Sequence, residues 1–173
     1  MTHDPADPAA APPGDAGTVE IGPAQLADQG RLAPLLLAVY GPGLRAERAA
    51  EALAGRVPAS VEDECLAADD FYFSRVDLMD CCRRARVGAE WVGAACVNPY
   101  IGELQYVAVR PAWRRRGLGR RLVEGVLAEL RRRGVSHARV DLSRVQADEG
   151  GRAFLTRLGF LSLRAVESFG RKP

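Results

Sequence analysis

The chain has 173 residues, with 24 Lys+Arg against 22 Asp+Glu and a formal net charge of +2. That length supports one domain with a proper core rather than two independent ones. The near-balance of charge argues against a protein that binds polyanions with its whole surface, so any basic function must be local.

Four cysteines, Cys65, Cys81, Cys82 and Cys96, show no C-x-x-C spacing, and His3 and His137 are the only histidines. A zinc site and a disulfide framework are both poorly supported, and the expectation is reduced, buried thiols and no metal. No apolar run approaches the roughly 20 residues of a membrane span, and the N-terminus lacks the basic start and apolar stretch of a secretion signal. The sequence reads as soluble and cytoplasmic.

Residues 1–17 are, after Met1, Thr2 and His3, all Pro, Ala, Asp and Gly, with no large apolar residue past Met1. They cannot bury enough surface to offset the entropy of ordering, which predicts a flexible tail ahead of a domain over 18–173. A short strand is expected at Thr18 to Ile21. Pro23 then opens a helix whose apolar face is Leu26, Leu32, Leu35, Leu36 and Val39, with Pro34 inside it and Gly41-Pro42-Gly43 at its end. A second helix is expected from Arg45 to Arg56. A third starts at Ser60 as cap, with Glu62, Asp63 and Glu64 in the first turn, where the helix dipole favours anions. Residues 71–76 fit helix or strand equally. "LMDCCRRARV" and "EWVGAACV" read as an antiparallel hairpin around Gly88, which makes Cys81, Cys82 and Cys96 strand residues.

In "ELQYVAV", Leu104, Tyr106 and Ala108 alternate with Glu103, Gln105, Val107 and Val109, the period of a strand. Gly119 to Arg133 has an apolar helical stripe of Leu122, Val123, Val126, Leu127 and Leu130, stopped by Gly134. A strand at His137 to Ser143, a helix at Gly151 to Leu158 and a strand pair from Phe160 to Phe169 complete the chain. The order, without repeats, is that of one mixed α/β domain.

"RRRGLG", Arg114 to Gly119, is the turn from strand 103–109 into helix 119–133. The first amides of a helix lack backbone partners and carry the positive end of the dipole, so they attract a phosphate-type anion. Gly117 and Gly119 leave the backbone approachable and allow turn conformations closed to other residues. A dinucleotide fingerprint would need a third glycine where Leu122 stands, and a Walker A loop would need a lysine. A glycine-punctuated turn with solvated arginines is the bland alternative.

"RRRGLG", preceded by "YVAVRPAW" and followed by "FLTRLGF" at Phe154 to Phe160, resembles the Q/R-x-x-G-x-G/A signature and flanking blocks of the Gcn5-related N-acetyltransferases. The resemblance covers about residues 18–173 and is strongest from 103 to 160. It implies an α/β (α+β) fold with a mixed, mostly antiparallel sheet flanked by helices, whose central strands splay to form a slot for acetyl-coenzyme A. It implies that Val107 and Val109 pair through their backbone with the pantetheine arm, that Arg114 stands at the Q/R position, and that Arg115, Arg116, Gly117, Leu118, Gly119 and Arg120 hold the pyrophosphate. Glu103 stands where some members carry a general base, and it reads equally as an exposed carboxylate at a strand start. Leu155 stands where members often carry a proton-donating tyrosine, and Asp148 where an asparagine often stands. Either another group, such as Ser143, Tyr106 or water, protonates the departing thiolate, or the thiolate leaves unprotonated.

The implied activity is acetyl transfer from acetyl-CoA to a primary amine of a small molecule or peptide. The alternative is an acyl-CoA-binding, regulatory domain without turnover. A nucleic-acid module built on the arginines conflicts with the near-neutral charge, and a C-terminal strand pair could exchange or pair across a homodimer. Trp91, Trp113, His137 and the run Asp69 to Phe73 are expected to be core or surface residues rather than site residues.

Overall fold

A computed structural model describes residues 17–55, 60–141, 149–163 and 168–171. Of the tail expected over residues 1–17, residues 1–16 lie outside the described residues, as do Ser143 and Asp148. One seven-stranded sheet has the order β1-β2-β3-β4-β5-β7-β6. The strands are β1 (Glu20–Pro23), β2 (Cys82–Val87), β3 (Glu90–Asn98), β4 (Glu103–Val109), β5 (Ala138–Asp141), β6 (Leu161–Leu163) and β7 (Ser168–Arg171). Every pairing is antiparallel except β4 with β5.

The helices are α1 (Leu32–Leu53), α2 (Val61–Phe73), α3 (Val76–Met79), α4 (Leu118–Arg132) and α5 (Glu149–Arg157). The expected break at Gly41-Pro42-Gly43 is absent, and α1 runs through it. Pro42 removes the donor for the carbonyl of Ala38, and both residues are exposed, so water can take the vacated acceptor. Pro34 is the third residue of α1, where no amide is needed. Pro23 closes β1 rather than opening a helix, and Leu26 is exposed in a short 3-10 turn. The amides that start α1 are held from a distance: the Asp69 carboxylate in α2 accepts from Gly30, Leu32 and Ala33 at 2.9, 2.9 and 3.0 Å. Ser60 caps α2 as expected, its hydroxyl accepting from the Asp63 amide at 3.0 Å.

The hairpin around Gly88 is present, but Leu78 and Met79 belong to α3 and β2 begins only at Cys82. Helices α1 and α2 cover one face of the sheet and α4 the other. On the α4 face, a Cβ at Gly93 would lie 3.1 Å from Leu122, so the strand and helix touch there with no room for a side chain. All four cysteines are buried and free.

The register of β3 on β4 corrects the simple alternation. Cys96 pairs with Tyr106 and Val97 with Leu104, so Gln105 is an extra residue, a bulge. Glu103 consequently shares the α1–α2 face with Tyr106 and Ala108. Val107 and Val109 lie on the α4 face, not the face of Glu103.

A buried ion pair ties the first strand down. Arg84, 1% exposed, donates through Nε to Asp28 at 2.6 Å and through a terminal nitrogen to Glu20 at 3.2 Å. The Trp91 indole, in the core as expected, is 3.4 Å from the other Asp28 oxygen.

Candidate functional site

The parallel strands β4 and β5 meet at one register position among the described residues, Glu103 opposite Arg139, where the Arg139 amide donates to the Gly102 carbonyl at 2.8 Å. Beyond it the strands part. The Arg110 amide donates to Val92 of β3 at 2.9 Å, so strand alternation turns the backbone groups of Val107 and Val109 the other way, into the opening.

Buried backbone groups need partners, and two side chains supply them. The Tyr40 hydroxyl donates to the Val107 carbonyl at 2.7 Å and accepts from the Val107 amide at 3.2 Å. Arg114 donates through Nε to the Val109 carbonyl at 3.0 Å. Burial pushes the Tyr40 phenol well above its ordinary pKa, the largest effect on it, so it stays protonated.

A cleft of about 960 Å³ runs along this edge, between the first turn of α4 and α5. Gly117 caps α4 with φ +76° and has no side chain to accept from the helix amides. The Arg121 amide bonds back to the Gly117 carbonyl at 3.2 Å, which leaves the amides of Leu118, Gly119 and Arg120 as the open donors of the first turn. Just before it Arg115 also takes a left-handed conformation, φ +63°, which costs an L-residue about 1 kcal/mol.

Most residues expected to bind a carrier are brought together: Val107, Val109, Arg114, Arg115, Gly117, Leu118, Gly119 and Arg120 all line the cleft. Arg116 is outside the lining, its guanidinium over the Trp113 ring at 5.0 Å. The two glycines serve different ends. A Cβ on Gly117 would meet nothing within 4 Å, so its need is conformational. A Cβ on Gly119 would come within 3.3 Å of Phe154 in α5, so its need is packing. Glu103 lies outside the cleft lining at the closed end of the slot, 6% exposed, with Oε2 3.4 Å from Arg139 Nε.

Leu155 lines the cleft and is 2% exposed. His137 is exposed on the surface, as expected. Tyr40 and Phe154 were not singled out by sequence reasoning. The signal for Tyr40 was its place on the stripe Leu32, Leu36, Tyr40, one polar-tipped aromatic among aliphatic residues at helical spacing. Burial pushes the Cys81 thiol up to about 11, and Cys96 is likewise raised by burial, so these thiols are inert rather than nucleophilic.

Among the described residues, a strand edge held only by side chains where a parallel pair parts lies next to an uncapped helix start, an arrangement whose donors suit an extended ligand that ends in an anion. The sequence profile of the acetyltransferase (GNAT) family matches residues 46–160, and the chain belongs to that family. No curated protein matches the sequence. Solved structures share the fold at low identity. A GNAT family acetyltransferase from Brucella melitensis in complex with acetyl-CoA is 19% identical with TM-score 0.60, over 90% of this chain and 88% of that one. The PaiA N-acetyltransferase from Thermoplasma acidophilum, in complex with coenzyme A, is 12% identical with TM-score 0.59, over 90% and 99%. A putative acetyltransferase from Pyrococcus horikoshii is 20% identical with TM-score 0.59 over 84% of this chain, which spans only 44% of that longer protein.

Proposed function

We propose that the protein transfers an acetyl group from acetyl-CoA to a primary amine of a small molecule or peptide. The observation that carries this is the edge of β4 at Val107 and Val109, which pairs with no strand on that side among the described residues and is held by the Tyr40 and Arg114 side chains, beside the uncapped first turn of α4. The donor set fits the carrier: three free amides and the Arg115 and Arg120 side chains suit a diphosphate, and a strand edge suits an amide-bearing arm. Acetyl-CoA supplies an activated thioester carbonyl. Val107 and Val109 align the arm, the first turn of α4 anchors its charged end, and Glu103 takes the amine proton from the α1–α2 face.

Leu155 favours a second reading, an acyl-CoA-binding domain without turnover, because α5 offers the cleft no proton donor at that position. We read the protein as cytoplasmic, with the C-terminal strand pair as the element through which a second copy would add. Among the described residues no helix is long and apolar enough to cross a membrane, and no cluster of metal-ligating side chains occurs.

Thermal-shift titration with acetyl-CoA and CoA, followed by thioester consumption against a panel of amines, tests both readings. Stabilisation with turnover supports the transferase, stabilisation without turnover for any amine supports the binding domain, and no stabilisation overturns both.

A further inference from the structure

We infer that the Tyr40 hydroxyl donates a hydrogen bond to the oxyanion that develops during acyl transfer, beside the Val107 amide. This rests on the acetyl-CoA reading above.

Tyr40 belongs to α1, on the sheet face opposite α4, yet it lines the cleft that α4 borders. It does so where β4 and β5 part, so its hydroxyl stands at the passage between the two faces. A carrier anchored at the first turn of α4 and an amine arriving from the α1–α2 side meet at such a passage.

The hydroxyl is set up to donate. Its oxygen accepts from the Val107 amide, which polarises the O–H bond, and its proton currently rests on the Val107 carbonyl. Rotation about the phenolic C–O bond alone re-aims that proton, with no movement of side chain or backbone. A thioester oxygen is a weak acceptor and an oxyanion a strong one, so the bond gains more in the transition state than in the ground state. On the other wall, Leu155 donates nothing.

Burial keeps the phenol protonated and makes it a poor acid. Moving its proton to a departing thiolate, of ordinary pKa about 8.5, would run uphill. Tyr40 therefore stabilises charge rather than transferring a proton. The amine nitrogen bonds to the carbonyl carbon while the carbonyl pair moves onto oxygen, held by the Tyr40 O–H, whose own oxygen keeps the bond from the Val107 amide. That pair then reforms the carbonyl, the C–S bond breaks with its electrons on sulfur, Glu103 takes the amine proton, and solvent protonates the sulfur.

Infrared difference spectra of carbonyl-labelled acetyl-CoA on the full chain test this, alongside calorimetric affinities for acetyl-CoA and CoA. The wild-type protein should hold the carbonyl band below its position in water. Tyr40→Phe should raise it, and 3,5-difluorotyrosine in place of Tyr40, a stronger donor of nearly the same shape, should lower it further. Thioester consumption should fall on the order of 100-fold in Tyr40→Phe with CoA affinity changed less than about three-fold. A band that ignores both replacements, or a Phe variant that merely binds CoA and acetyl-CoA more tightly, would show that the hydroxyl only caps the strand edge and overturn the proposal. A wild-type protein that binds no acetyl-CoA would overturn the cofactor reading itself, and the proposal with it.

Discussion

Glu103 faces Arg139 across the one register pair that joins β4 to β5 among the described residues, Oε2 3.4 Å from Nε. The pair sits where the slot closes, and the bulge at Gln105 turns Glu103 to the face opposite the cleft. On the acetyl-transfer reading proposed above, a base there would meet the amine without crowding the carrier. Glu103→Gln, which keeps the shape, should lower turnover by roughly 100-fold. Acetyl-CoA affinity, measured by calorimetry, should not change.

Replacements in the turn should separate conformation, packing and charge. Gly117→Val places a β-branched residue at φ +76° and should weaken CoA binding and cost at least about 1 kcal/mol of stability. Gly119→Val should push Phe154 off α4 and lower Tm as well as affinity. Arg116→Ala loses a stacking contact on Trp113 of about 0.5–1 kcal/mol and should leave CoA affinity nearly intact. If the Arg116 change proved the most damaging to affinity, the site would be a charge patch instead.

Asp28→Ala strips the main partner from a guanidinium that is 1% exposed and should cost about 3–5 kcal/mol in urea unfolding. Adding Arg84→Met removes the orphaned charge. The double variant should recover much of the loss, a coupling that a double-mutant cycle reads directly.

Asp69→Ala would unpair three amides at the start of α1, two of them in buried bonds. The expected cost is about 2–4 kcal/mol, above that of an ordinary exposed cap. Because α1 carries Tyr40, protection of the α1 amides from hydrogen exchange should fall with it.

Acid should unfold the protein through two partly buried carboxylates. Burial opposes ionisation of Asp28 and Glu129, but hydrogen bonds from Arg84 to the first, and from Arg132 and Arg133 to the second, hold both pKa values below the ordinary range. Their folded values thus lie below their unfolded ones. The stability they contribute is present above about pH 4.5 and is lost as pH falls through the depressed folded values. Thermal melts from pH 6 downward should show a falling Tm below about pH 5, and the double variant Asp28→Asn, Glu129→Gln should flatten that slope.

Much of the site was legible because it is local. The turn from Arg114 to Gly119, the strand before it and the amphipathic helix after it are contiguous, and phosphate affinity at a helix start needs only nearby amides and glycine. The sequence places Glu103 at the start of β4 but on the wrong face, because the bulge at Gln105 is set by pairing with β3. The continuous α1 was missed for a similar reason. Gly41-Pro42-Gly43 reads as a stop, but the α1–α2 packing and the Asp69 cap hold the helix together across it.

Composition, periodicity and one glycine turn by themselves determined a mixed α/β domain and the uncapped helix start at one end of its cleft, since short-range sterics and backbone amides decide those. Only the tertiary structure decided that Gly119 is needed for Phe154, that Arg116 rests on Trp113, and that Tyr40 reaches Val107 across 67 positions of sequence. These depend on which faces meet when helices and sheet pack, and no local pattern encodes that meeting.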